Sequence, residues 1–309
     1  MPKSVTVVTG GAGFIGSHLA SYLSDRGKRV VAIDNGTFRG PDNLQLMNIK
    51  AEFIEKSITD PAVFESLESC EVDTIYHLAS PANVPFSVRR PLEDFKVNMQ
   101  GTLNVLEFAR EKKAQVIFPS TVSVYAKDSA KPISEKAEIH ASSPYAAAKI
   151  GGENYCYAYT NCYGVRTVVA RLFNVYGPGM NKYVIHDFIR KLQANPKSLT
   201  IMGTGQQVRE YTYIDDVVRA FVLLAERGES GTAYNVGTGI PVRIIDLAKM
   251  IIEEMGLKDV ELICTNEEAV GDIQEWYGDI TRLNKLGFEP QVAFREGLKR
   301  TIKGGTGEI

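Results

Sequence analysis

Tyr145 and Lys149 lie four residues apart in the stretch Ser142-Ser143-Pro144-Tyr145-Ala146-Ala147-Ala148-Lys149. On a helix that spacing places them one turn above each other on one face. A phenol with a reference pKa near ~10 is a poor base at neutral pH. An ammonium one turn away favours the phenolate and lowers that value, so the pair can act as an acid/base near working pH. The surrounding residues supply the helix. Ser143 can cap it, Pro144 suits its first turn, and the alanines are the strongest helix formers. Taken alone the pair decides nothing, because tyrosine and lysine meet at this spacing on many helices by chance.

A second group lies at the start of the chain. Val5-Thr6-Val7-Val8-Thr9 reads as a short buried strand, followed at once by Gly10-Gly11-Ala12-Gly13-Phe14-Ile15-Gly16 and a helical pattern from Ser17 to Arg26. The next strand, Arg29 to Ile33, ends in Asp34-Asn35. Glycines at this spacing are weak evidence alone. Between a strand and a helix, with an acid closing the next strand, they point to a dinucleotide. Gly10 and Gly13 let the backbone turn tightly and approach a pyrophosphate, and Gly16 lets the helix pack close to the strand. The helix start offers free N–H groups to the phosphates. Asp34 accepts from a ribose diol and would repel the 2′-phosphate of NADP, so the expected cofactor is NAD.

These residues need a scaffold, and the alternation of elements supplies one. Further strands are expected at Ala51–Ile54, Asp73–Ala79, Gln115–Ser120, Arg166–Leu172 and Ala233–Val236, with helices over Pro61–Ser69, Leu92–Arg110, the Tyr145 helix to Cys162, and Val217–Glu226. Such alternation implies right-handed crossovers and an α/β, doubly wound parallel sheet, Rossmann-like, with ligands beyond the C-terminal ends of its strands. The glycine loop, Asp34, Ala79-Ser80, Ser120-Thr121 and Phe173-Asn174 fall at those ends. Beyond Asn174 the Gly/Pro cluster Gly177-Pro178-Gly179 breaks the pattern. The expected division is residues 1–177 with 211–239 as the NAD-binding domain, and 178–210 with 240–309 as a smaller α/β substrate-binding domain. His77, alone in an apolar strand, reads as a hydrogen-bonded structural residue. Tyr155-Cys156-Tyr157-Ala158-Tyr159 reads as a packing face, and with the Leu92–Arg110 helix it could form a dimer interface.

With 309 residues, 44% hydrophobic and 23% charged, the composition is that of a globular protein, and a net charge of −2 gives no bulk attraction to nucleic acid or an anionic membrane. No apolar run approaches the ~20 residues of a membrane span. Met1-Pro2-Lys3 leads straight into a strand without an apolar leader, and a cytoplasmic location is expected. Cys70, Cys156, Cys162 and Cys264 show neither metal-ligand nor disulfide spacing; no metal is expected. The final residues, Gly304 to Ile309, read as a frayed tail.

Thr9-Gly10-Gly11-Ala12-Gly13-Phe14-Ile15-Gly16, His77-Leu78-Ala79, Asn98 with Gly101-Thr102, Tyr145-x-x-x-Lys149, Arg171-Leu172-Phe173-Asn174-Val175-Tyr176-Gly177-Pro178 and Arg209-x-Tyr-x-Tyr-Ile-x-Asp216 stand in this order. Through them the chain resembles the extended short-chain dehydrogenase/reductase family, in its nucleotide-sugar epimerase and dehydratase group, over nearly its whole length. The resemblance implies a tightly held NAD, a nucleotide-diphosphate sugar between two domains, and a homodimer. It implies that Thr121 is the hydroxyl partner of Tyr145, with Ser123 assisting, and that Lys149 also binds the nicotinamide ribose. It places Phe14, Ile15, Asn35, Ser57, Ile58, Leu78, Ala79, Ser80 and Asn98 with the glycines and Asp34 around the cofactor, and Thr121, Asn174, Met202, Arg209, Asp272 and Trp276 around the substrate.

Within the group, Val122-Ser123 stands where relatives that expel water carry Asp-Glu, so a 4,6-dehydratase is disfavoured. Decarboxylases that make pentose sugars tend to carry Glu at the second position, although Leu78-Ala79-Ser80-Pro81-Ala82 resembles theirs. A 4-epimerase of UDP-hexose or UDP-hexuronate type fits best, with a decarboxylase or dehydratase, or an NAD-binding sensor without turnover, as alternatives. Three departures stand out. Ala269 and Val270 precede Gly271-Asp272 where an arginine usually grips the diphosphate, leaving Arg209, with Lys182, Arg243 and Arg282 as possible substitutes. Ser57 replaces the usual acid near the adenine. Trp276 falls at a gate beside the sugar, which would disfavour bulky N-acetyl sugars.

Overall fold

The computed structural model describes residues 4–37, 50–267 and 274–305. Among them the chain forms two compact units, one of residues 1–128, 136–172 and 218–234, the other of 129–135, 173–217 and 235–309. The main sheet uses β1 (Val5–Thr9), β2 (Arg29–Asp34), β3 (Glu52–Glu55), β4 (Val72–His77), β5 (Gln115–Thr121), β6 (Thr167–Leu172) and β11 (Thr232–Val236), ordered β11-β6-β5-β4-β1-β2-β3. The six strands up to β6 pair in parallel. The strand order reverses at β1, between β4 and β2, and a doubly wound sheet opens its ligand crevice at such a switch point. The expected doubly wound sheet is therefore present.

Apolar β-branched residues build this sheet because both its faces are covered. Val5, Val7, Val31, Ile33, Ile75, Val116 and Phe118 are all buried in one core with Leu106 and Phe108. Phe64 stacks on Phe108 with ring centroids 4.4 Å apart. The Tyr145 helix, Pro144–Tyr163, lies against β5. A Cβ on Gly152 would come within 2.4 Å of the Phe118 ring, so this glycine sets how closely helix and strand approach.

Three expectations for the helices need correction. The stretch expected as one helix from Leu92 to Arg110 is an α turn (Pro91–Phe95), a π turn (Lys96–Gln100) and an α-helix (Gly101–Lys112). A π turn adds a residue to the helical repeat and so rotates the helix beyond it. Residues Tyr155 to Tyr159 do not form one packing face. Tyr155 and Tyr157 are exposed, whereas Cys156 and Tyr159, three apart on one face, are buried in the core. The expected helix at Pro61–Ser69 is a 3₁₀ helix over Pro61–Leu67, capped by Asp60.

The second unit carries short strands: β7 (Asn174–Tyr176), β8 (Ser198–Ile201), β9 (Val208–Arg209), β10 (Tyr211–Tyr213), β12 (Val242–Arg243), β13 (Glu261–Cys264) and β14 (Glu275–Trp276). They form the pairs β10-β7 and β13-β8 and the ribbon β12-β9-β14. Helices Tyr183–Ala194, Ile244–Glu254 and Phe294–Lys303 pack around them. Of the expected tail, Gly304 and Gly305 are described and the rest lies outside the described residues. The cysteines are free, and no described helix is long and apolar enough to cross a membrane.

Candidate active site

In the first unit the ends of β1, β2, β4 and β5 carry the expected residues. Gly10 has φ +68°, and a Cβ there would lie 2.6 Å from the Leu78 carbonyl carbon and 2.7 Å from the Ala79 nitrogen. Only glycine fits both constraints. A Cβ on Gly16 would fall 2.1 Å from the Gly10 oxygen, so the helix Phe14–Asp25 can start where it does only with glycine there. Gly13 meets no such wall. Its Cβ would touch only the Gly10 oxygen, at 3.1 Å, and its N–H donates to that oxygen at 3.0 Å. Gly11, to which sequence patterns assign no role, is equally constrained, because a Cβ would lie 2.6 Å from Ala32 Cβ on the neighbouring strand.

Asp34 ties this loop to β2. Its carboxylate accepts from the Ala12 N–H at 3.1 Å and the Gly36 N–H at 3.0 Å. Burial raises its pKa and these N–H groups pull it down. Asn35 accepts from the Thr37 N–H. Ser57 pairs with Thr59 at 2.8 Å, and the following Ile58 is fixed by Asn104, whose amide donates to its carbonyl, and by Gly101, where a Cβ would strike its side chain. Leu78 and Ala79 donate to the Thr9 carbonyl and hydroxyl, and Ser80 donates to Asn98 at 2.6 Å. A glycine cradle that a Cβ would fill, closed by an acid at the end of the next strand, fits a dinucleotide.

The catalytic candidates come together around the end of β5. Ser143 caps the Tyr145 helix by accepting from the Ala146 N–H at 3.1 Å, and Pro144 opens its first turn, as expected. Both Tyr145 and Lys149 face inward, at 8% and 5% exposure. Lys149 Nζ donates to the Pro119 carbonyl at 3.0 Å and lies 6.0 Å from the centre of the Tyr145 ring. Burial pushes the Lys149 ammonium down to about 8, against the pull of Asp94, Cys156 and Glu153. Thr121 ends the strand and caps a 3₁₀ turn, Val122–Val124; it accepts from the Ser123 N–H at 3.2 Å and its hydroxyl donates to Ser123 Oγ at 3.3 Å. Val122 is buried, so this turn presents hydroxyls and no carboxylate.

One turn beyond Lys149, Glu153 forms a buried ion pair with Arg171 of β6, through Nε at 3.0 Å and Nη2 at 2.6 Å, and Arg171 Nη1 donates to Tyr125 at 3.0 Å. The pair pins the helix to the sheet beside the site. Its two partners lie 18 residues apart in the chain, beyond any local pattern.

His77 is a structural residue, as expected. Its ring bridges Thr9 at 2.8 Å and Thr102 at 3.0 Å, and burial pushes its pKa down to about 3. In the unfolded chain a histidine titrates near ~6.5, so between that value and about 3 the unfolded state binds one proton that the native state does not. Stability therefore falls with decreasing pH across this window, by roughly 1.4 kcal/mol per pH unit from this residue. The His77→Asn variant should show a shallower acid dependence of its urea midpoint than wild type; equal slopes would contradict the assignment.

In the second unit, Glu210, to which sequence patterns assign no role, gathers the substrate candidates. Fully buried, its carboxylate accepts from the N–H groups of Thr238, Gly239 (3.0 Å) and Gly278 (2.7 Å). Its carbonyl accepts from the Asn174 amide at 2.9 Å. A Cβ on Gly237 would collide with this carboxylate. Arg209 precedes it and is the strand partner of Trp276. Arg209 donates to the Val208 and Gln274 carbonyls at 2.9 and 3.3 Å. Asn174, Arg209 and Trp276 are thus held in one assembly. Met202 is 70% exposed at the end of β8, and no hydrogen bond ties it to them. Asp272, and the segment with Ala269, lie outside the described residues. Arg243 pairs with Asp246 at 2.6 Å, and Arg282 sits 3.9 Å from Glu135. Among the described residues no cluster of metal-ligating side chains occurs.

Known proteins resemble this chain in sequence and fold. Residues 6–237 match the NAD dependent epimerase/dehydratase family. A putative UDP-glucose 4-epimerase of Methanocaldococcus jannaschii is 33% identical over 302 residues, covering 96% of each chain. UDP-glucuronic acid decarboxylase 1 of Xenopus tropicalis is 35% identical over 308 residues, covering 96% of this chain and 70% of the relative. The crystal structure of a UDP-glucose 4-epimerase of Thermotoga maritima with UDP-glucose superposes with a TM-score of 0.90 at 35% identity, covering 97% of this chain and 98% of that one.

Proposed function

Because the chain belongs to the NAD-dependent epimerase/dehydratase family and is an NAD-dependent nucleotide-sugar enzyme, we propose that it is a 4-epimerase of a UDP-hexose or UDP-hexuronate. It would work through transient oxidation of the sugar at C4 to a 4-keto intermediate. The observation that carries this reading is the turn Thr121–Val124 beside Tyr145 and Lys149. It offers two hydroxyls and a buried valine where dehydration needs carboxylates.

When bound, NAD supplies an acceptor and donor of hydride at C4. Gly10, Gly13, Gly16 and the helix start hold its pyrophosphate, and Asp34 its adenine ribose. Phe14, Ile15, Asn35, Ser57 and Ile58 border this half; Leu78 to Ser80 and Asn98 line the other. Tyr145 removes the proton of the 4-hydroxyl as phenolate and returns it when the keto group is reduced. Lys149 stabilises that phenolate by its charge. The Thr121 hydroxyl, steadied by Ser123, orients O4. Arg209 binds the diphosphate, with Asn174, Met202, Asp272 and Trp276 around the nucleotide sugar. Orientation is the protein's main contribution, since the same sugar must be presented on either face.

The decarboxylase reading is supported by Leu78-Ala79-Ser80-Pro81-Ala82 and by relatives named for that activity. Ser123, which has no proton-transferring carboxylate, weighs against it. UDP-glucose deuterated at C4 should give a product that keeps deuterium at C4 with inverted configuration; loss of the label to water would remove the reading.

Asp34→Ala should weaken NAD binding and narrow its preference over NADP. Titration of both cofactors by calorimetry checks this, and unchanged selectivity would mean that the acid does not hold the ribose. A homodimer is part of the proposal, and a cytoplasmic location goes with it. Val88, Leu92 and Phe95 are exposed at 62%, 77% and 55% on neighbouring turns, and Tyr155 is exposed on the adjoining helix. Sedimentation should give the dimer mass at micromolar concentration.

A further inference from the structure

Asp94 is a buried acid for which the proposed chemistry has no use. It lies on the turn Pro91–Phe95, which packs against the Tyr145 helix, and is 1% exposed. Only one of its oxygens is partnered among the described residues. Oδ1 accepts from the Asn98 amide at 3.0 Å, while Oδ2 has no hydrogen-bond partner. The Asn98 side-chain oxygen accepts from Ser80 at 2.6 Å, so a chain Ser80–Asn98–Asp94 runs inward from the end of β4. Asn98 can take part because it lies four residues after Asp94, one helical turn on. A buried carboxylate without a counter-charge is costly, and an unpaired oxygen on one calls for an explanation.

The only buried ammonium in this unit, among the described residues, is Lys149. It has three N–H donors and one hydrogen bond, to the Pro119 carbonyl. The charged and titratable groups facing it are few. Tyr145, Glu153 and Cys156 are on its own helix; Glu153 is committed to Arg171, and burial pushes the Cys156 thiol up, leaving it neutral. From β4, His77 is held neutral by burial. From the turn packed on the helix there is Asp94, and its neighbours Arg90, Glu93 and Lys96 are exposed on the outer side. Burial raises the Asp94 pKa and lowers that of Lys149; against this, Lys149 pulls the Asp94 value down and Asp94 pulls the Lys149 value up, each favouring the other's charged form.

We propose that Asp94 is a positioning residue of the active site: tethered by Asn98, its carboxylate is the counter-charge that keeps buried Lys149 an ammonium. The assignment rests on the reading of Lys149 as the partner of Tyr145. It extends the site to a residue that need not touch cofactor or sugar. Removing the carboxylate makes both protons easier to lose, that of Lys149 more than that of Tyr145, because it is Lys149 on which the Asp94 charge acts. Both limbs of the pH–rate profile then move to lower pH, the alkaline limb further, and the active range narrows.

The test compares wild type, Asp94→Asn and Asp94→Glu with 13C-labelled lysine and aspartate, following the Lys149 side chain and the Asp94 carboxyl by NMR across pH 6 to 10. Asp94→Asn should lower the Lys149 midpoint by on the order of one pH unit, and Asp94→Glu should restore most of it. The alkaline limb of turnover should follow the same order. A lower rate or stability in Asp94→Asn with the Lys149 midpoint unmoved would overturn the proposal. Should Asp94→Asn fail to fold, the wild-type carboxyl decides. Ionisation at pH 7 supports the pairing, and a protonated Asp94 at pH 7 overturns it. The lysine titration needs no substrate, so it stands apart from the reading of the reaction, which fails separately if Tyr145 proves dispensable.

Discussion

Tyr145→Phe should leave the fold and NAD binding intact and cut turnover by on the order of 10²–10⁴, the range for loss of a positioned acid/base. The side chain is 8% exposed, and removal of the hydroxyl leaves the packing of its ring in place. The rate therefore falls through lost proton transfer. The measurement is kcat with the cofactor content quantified in the same sample. Full retained activity would remove Tyr145 from the mechanism. Lost NAD content would give it a binding role instead.

Arg171→Met should destabilise the protein by roughly 3–5 kcal/mol, because it strands the Glu153 carboxylate without its partner. Glu153 and Arg171 are 8% and 4% exposed, and the guanidinium also holds the Tyr125 hydroxyl. A buried pair repays its own desolvation only in part, so replacing both members is far milder than replacing one. The double variant Glu153→Leu with Arg171→Met should regain most of the loss. Urea unfolding checks both. A double variant as unstable as the single one would mean that the pair itself, and not the orphaned charge, stabilises the helix.

How far the sequence disclosed the site depended on whether a residue's reason lies nearby in the chain. Gly10, Gly16, Asp34 and the Tyr145–Lys149 spacing obey local rules of turn, helix and strand, and each sits where those rules put it. Gly11 does not, because what forbids a side chain there is Ala32, on the adjacent strand. Glu210 looks like one more polar residue between tyrosines, and its purpose appears only when Thr238, Gly239 and Gly278 converge on it. The π turn at Lys96–Gln100 was equally hidden, since its residues suit an ordinary helix. In the run Tyr155 to Tyr159 composition suggests a common packing face, but only Cys156 and Tyr159 of it are buried in the core, which depends on what the helix meets across space.

The central claim is inversion at C4 of a UDP sugar. It is tested most directly by incubating the purified protein, without added cofactor, with UDP-glucose, UDP-galactose and UDP-glucuronate in separate tubes and reading the products by proton NMR. Epimerisation predicts that one of them yields its C4 epimer, approached from either side to the same equilibrium, with no net change in NAD. A UDP-pentose with release of carbon dioxide, or an accumulating 4-keto-6-deoxy sugar, would contradict it.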